Sequence, residues 1–192
     1  MAEDCEAGAR LPMNMKDTPP RSIFRELREF CSSISPSSPK FVRSKPSKDA
    51  ILSHCFDNVE RKIQRAGGSV AYGWAIWHLR GAYFEAEYHG VWRKRSGELL
   101  DVSPQLNSYR KILFLPDDNA IYDPTVFRTN IMLAEQGNPV AGELVNAALE
   151  RNSILNQYRQ PGVSEVTLSR ADQDKVNDLL AKIQRLFQQL SA

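Results

Sequence analysis

Residues 55–68, CFDNVERKIQRAGG, run into 70–77, VAYGWAIW, then 82–94, AYFEAEYHGVWRK, and 97–104, GELLDVSP. The first stretch carries Cys55, Phe56, Val59 and Ile63 at helical spacing and closes on Gly67-Gly68, residues that end a helix and turn the chain. The stretches after it are rich in Val, Ile, Tyr, Trp and Phe and are punctuated by HLRG and KRSG. A helix followed by successive β-type runs makes this an α+β chain.

Working outward, the strands are expected at 69–77, 82–93, 98–103 and 110–115. Downstream, PDDNAIYDPT at 116–125 is a loop, and helical patterns return at 127–136, 139–158 and 169–190. Ser169 can cap the last helix, with Asp172 in its first turn, and Val176, Leu180, Ile183, Phe187 and Leu190 form its apolar stripe. Upstream, Arg21 to Ser33 repeats apolar residues at helical spacing. The Ser/Pro/Lys-rich stretch SSISPSSPKFVRSKPS at 32–47 is expected as a solvated connection that docks Phe41 and Val42. Residues 1 to about 20 are polar and aperiodic and are expected to be disordered.

The expected architecture is therefore N-terminal helices, a central antiparallel meander of about four strands, and C-terminal helices. A single domain spans 21–158 with its core at about 48–116. The segment 159–192 is an amphipathic helix, packed on that domain or forming a homodimer seam.

Composition bounds the function. With 25 basic and 23 acidic residues the charge is nearly balanced, so neither nucleic acid nor an anionic membrane is expected as a partner. No apolar run is long enough to span a bilayer, and the first residues lack the apolar core of a secretory signal. Cys5, Cys31 and Cys55 are too few and too scattered for a disulfide framework or a Cys-rich zinc site. A reducing, cytoplasmic location fits, and export by a route without a classical signal would leave the same sequence. No cofactor and no metal are expected.

Three residues in the opening stretch carry chemistry. A cysteine at a helix start gains the helix dipole and free N–H groups, which favour the thiolate and can hold an oxyanion. Cys55 has that place if the helix begins near Ser53 with Ser53 as its cap. If the helix runs unbroken from Lys48, whose stripe includes Ile51 and Leu52, Cys55 is a mid-helix core residue.

Alternation along 82–93 puts His89 on one face with Glu85, Glu87 and Val91, opposite Phe84, Ala86, Tyr88, Gly90 and Trp92. A hairpin closed by Arg93 to Gly97 would pair Trp92 with Glu98 and set His89 directly opposite Asp101. Nucleophile, base and orienter would then be Cys55, His89 and Asp101. Asn58, one helical turn after Cys55, together with Trp74 and Glu87, are the expected supporting or substrate-binding residues. Two Glu and one His on a strand lack further ligands at zinc spacing.

Helix-borne Cys55, GGSVAYGW at 67–74, His89-Gly90-Val91-Trp92 and GELLDVSP at 97–104 resemble the core of transglutaminase-like cysteine proteins. These belong to the wider papain-like superfamily, with the NlpC/P60-type cell-wall peptidases. The resemblance covers about residues 53–104. It implies Cys55 as nucleophile, His89 as general base and acid, and Asp101 as orienter, in a thiol hydrolase or acyltransferase acting on a peptide or other amide-bearing substrate. Two further readings remain open: a non-catalytic α+β binding module that engages a protein partner through its C-terminal helix, and an exported effector or toxin.

Overall fold

The structure, a computed structural model, describes residues 18–126, 128–159 and 166–191. Most of the expected disordered leader, with Cys5, lies outside the described residues. By internal contacts the chain forms two compact units, one built from 18–77 and 86–122 and the other containing 78–85 and 123–192.

The first unit holds α1 (Arg25–Ile34), β1 (Lys40–Ser44), α2 (Cys55–Ala66), most of β2 (Ser69–Leu79) and β3 (Tyr83–Arg93), then β4 (Leu99–Asp101) and β5 (Lys111–Pro116). The strand order is β2-β5-β1-β4-β3, and β3 pairs back to β2, so the sheet closes into a mixed barrel. This corrects the expected meander. The strand that closes it is β1, in the stretch read as a connection. It pairs antiparallel to β5 (Val42 with Ile112) and parallel to β4 (Ser44 with Asp101). Val42 points inward and is buried, while Phe41 stays exposed under the Lys111 ammonium, 4.1 Å from its ring. Five residues flanked by Pro and Ser give too short a period for the alternation to register, yet they supply the edge that β4 and β5 both need.

Val42, Ala71, Ala75, Trp77, Val91, Ile112 and Phe114 fill the barrel. Outside it, α2 lays Val59 and Ile63 on Trp92, Leu100 and Val102. Both faces of β3 are thus buried, including the one that alternation marked as polar.

The β3–β4 hairpin turns on three residues, Arg95 to Gly97, because Lys94 N–H donates to the Glu98 carbonyl at 2.9 Å and Gly97 takes φ +85°. Trp92 therefore pairs with Leu100 rather than Glu98. The register is displaced by two residues from expectation. An even displacement preserves the faces, so His89 and Asp101 remain on the same side as diagonal neighbours.

In the second unit, α3 (Pro139–Tyr158) packs along α4 (Arg170–Ser191). Asn138 caps α3 by accepting from the Ala141 N–H, and Ser169 caps α4 by accepting from the Asp172 N–H. The buried stripe of α4 is Val176, Leu179, Ile183 and Leu186, with Phe187 and Leu190 partly covered. Leu180 sits at its margin. Residues 131–134, inside an expected helix at 127–136, instead form β6 (Ile131–Ala134) beside β3, where Glu135 N–H donates to the Ala82 carbonyl at 2.7 Å. Residue 127 lies outside the described residues. The Met132–Leu133 pair fits either period, and an available strand edge decides it. Among the described residues no helix is long and apolar enough to cross a membrane.

Candidate functional site

Helix α2 begins at Cys55, not at Lys48. Ser53 takes a left-handed φ of 65°, which no helix can continue through, and the N-cap is His54, without a side-chain cap bond, rather than the expected Ser53. Asn58 explains the rest. Its side chain clamps the backbone of Ile51 from both ends, accepting from the N–H at 2.9 Å and donating to the carbonyl at 2.7 Å. It also donates to Ser103 Oγ at 3.2 Å, tying the helix start to the chain just past β4. Ile51 and Leu52, read as stripe residues, are consequently exposed in the loop before the helix.

Cys55 therefore occupies the first helical position, half-buried, at a terminus without a side-chain cap. First-turn N–H groups there lack intrahelical acceptors. His54 turns away to Asp57, at 3.0 Å. Phe56 then fixes the height of the helix over β3, stacked on Tyr122 with ring centroids 4.1 Å apart and leaning on Tyr88 at 4.8 Å. This close approach requires Gly90, where an added Cβ would stand 2.8 Å from the Phe56 ring. Gly90→Val is expected to displace the α2 start and destabilise the fold by about 1–3 kcal/mol. Urea denaturation would measure it, and an unchanged midpoint would show that the Phe56 packing does not set the helix position.

His89 is 4 % exposed and Asp101 fully buried. His89 Nε2 lies 3.2 Å from Asp101 Oδ1, while its ring also meets the Cys55 sulfur side chain. The remaining capacity of Asp101 is taken by Ser44 Oγ at 2.9 Å, the Ser103 N–H at 3.1 Å and Gln105 Nε2 at 3.3 Å. Every contact on the carboxylate is a donor, as an ion at this depth requires.

Burial opposes charge on His89, but the Cys55 sulfur and the Asp101 carboxylate outweigh it and hold the imidazole pKa well above the ordinary 6.5. Burial likewise opposes ionisation of Asp101, and the His89 bond, with those from Ser103 and Ser44, outweighs it and keeps the carboxyl below its usual range. Cys31 is different. Burial alone pushes its thiol up to about 11.

The structure thus brings Cys55, His89 and Asp101 together, and Asn58 ties the start of α2 to Ile51 and Ser103. Trp74 and Glu87 hold other partners: Trp74 Nε1 donates to Asp117 at 3.0 Å, and Trp77 Nε1 donates to Glu87 at 2.8 Å. Asp117 also accepts from the Asn119 N–H, so it organises a turn. Ser44, Ser103 and Gln105 went unnoticed in the sequence. Only Ser103, two residues past Asp101, carried a local signal. Among the described residues no cluster of three His, Cys, Asp or Glu side chains is arranged to hold a metal ion. No family model, curated protein sequence or solved structure matches this chain.

Proposed function

We propose that this protein is a cysteine-dependent hydrolase or acyltransferase of the transglutaminase-like, papain-like kind, acting on an amide or acyl bond through Cys55, His89 and Asp101. The observation that carries the reading is the position of His89, bonded through Nε2 to a buried carboxylate and interacting with the side chain of half-buried Cys55 at a helix start. In this reading the Cys55 thiolate adds to the substrate carbonyl carbon. The carbonyl oxygen takes up the electron pair beside the free N–H groups of the first turn of α2. His89 gives its Nδ1 proton to the departing amine as the C–N bond breaks, leaving a thioester on Cys55. A water molecule, or a second amine, then yields a proton to His89 and attacks the thioester, releasing the acyl group and restoring the thiolate. Asp101 accepts the Nε2–H bond throughout and stays ionised. Exposed Ile51, Leu52 and Tyr122, near the helix start in chain or in contact, offer apolar surface to a substrate side chain.

Acylation by p-nitrophenyl acetate tests the proposal. A burst of nitrophenolate with an acetyl adduct on Cys55, followed by turnover, is the expected result, and Cys55→Ala removes both. Acetylation of Cys55 no faster than in urea-unfolded chain would return the residue to a structural role.

A further inference from the structure

We propose that the cleft between the end of β1, α2 and the β3–β4 hairpin binds a compact ligand bearing clustered phosphate groups. The cleft encloses about 610 Å³ and is separate from the thiol site in its lining. Cations reach it from three segments of chain: Arg43, Lys45 and Lys48 from β1 and the residues after it, Lys62 and Arg65 from α2, and Lys94 from the hairpin. Its two carboxylates are already engaged. Asp49 receives two bonds of 2.7 Å from Arg65, and Glu98 receives one of 2.7 Å from Lys94.

That leaves Arg43, Lys45, Lys48 and Lys62 with no lining carboxylate against them. The Lys62 ammonium rests 4.9 Å above the Trp92 ring, held by an aromatic face rather than by an anion. Like charges converging on a concave wall repel one another and focus a positive field, which a multiply charged anion relieves. Arg and Lys together suit phosphate, the guanidinium as a two-pronged donor and the ammonium as a point charge. The cations line one depression rather than a stripe along the surface, and share it with the apolar side chains of Trp92, Leu100 and Val102. A small phosphorylated carbon framework fits that shape better than a nucleic-acid backbone.

Calorimetric titration of the full chain with tripolyphosphate, at an ionic strength of about 0.15 M, tests the site. Saturable one-to-one binding is expected. Arg43→Ser and Lys62→Gln, on different elements, should each weaken it about tenfold. Arg28→Ser, outside the cleft, should leave it unchanged. No saturable heat, or equal weakening by all of these variants, would overturn the proposal.

A second arm identifies the source of the phosphates. Co-sedimentation with vesicles containing a phosphoinositide bisphosphate, but not with phosphatidylserine vesicles of equal charge, assigns a lipid headgroup. Tripolyphosphate binding without retention on either vesicle assigns a soluble ligand. Equal retention on both would reduce the cleft to unspecific attraction and overturn the proposal.

Discussion

His89→Ala is expected to lower the rate of iodoacetamide labelling at Cys55 by about tenfold at about pH 6. An unassisted thiol with a pKa of about 8.5 is roughly one part in 300 thiolate at that pH, so any help from the proposed Cys55–His89 pair would show most clearly there. Part of the gain is returned because a stabilised thiolate is the weaker nucleophile, with a Brønsted slope of about 0.4–0.5. As pH rises past the range of a free thiol, the variant should catch up with the wild type and then pass it. Cys31 does not compete, since burial holds its thiol protonated up to about 11. A Cys5→Ser background removes the remaining cysteine. Indistinguishable pH profiles would show that His89 does not charge Cys55, and the enzyme reading would fall with them.

Asp101→Asn is expected to cost about 3–5 kcal/mol of stability, because it leaves a buried imidazole facing an amide in place of a carboxylate. It also disturbs four contacts at once: those from His89, Ser44, Ser103 and Gln105. The effect has a definite pH signature. The carboxyl of Asp101 is lowered by folding from 3.8, so its contribution is present above 3.8 and is lost as pH falls through the lowered value. His89 is raised by folding from 6.5, so its contribution is complete below 6.5 and is lost as pH climbs through the raised value. The gap between wild type and variant is therefore widest between 3.8 and 6.5 and narrows on both sides. Urea midpoints measured across pH would show this. A gap that does not vary with pH would mean that the His89–Asp101 contact is an uncharged hydrogen bond.

Periodicity carried the parts of this fold that span many residues. The eleven-residue strands β2 and β3 and the long helices α3 and α4 each repeat their pattern often enough to be legible. The shared face of His89 and Asp101 was legible for the same reason, since period two survives any even slip of register. What escaped was decided by single residues or by partners far away. The start of α2 depends on the positive φ of Ser53 and on the Asn58 clamp, neither of which leaves a trace in hydropathy. Strand β1 depends on two edges supplied by residues 99–101 and 111–116. The polar shell of Asp101 gathers Ser44 from β1 and His89 from β3, and no local window contains both.

The place of β1 in the sheet also sets an order of events at the ribosome. It leaves the exit tunnel before Cys55, yet its two neighbours, β4 and β5, follow His89 in the chain. Helix α2 and the β2–β3 hairpin have local partners and can form early, whereas residues 40–44 must wait for an edge to join, and such long-range pairings are slow. The seam with β5 closes only after residue 116 has emerged, and Ser44 cannot reach Asp101 until β4 has been made. The thiol is synthesised well before the carboxylate shell that would arm it, so a nascent or truncated chain carries Cys55 without its charge partners.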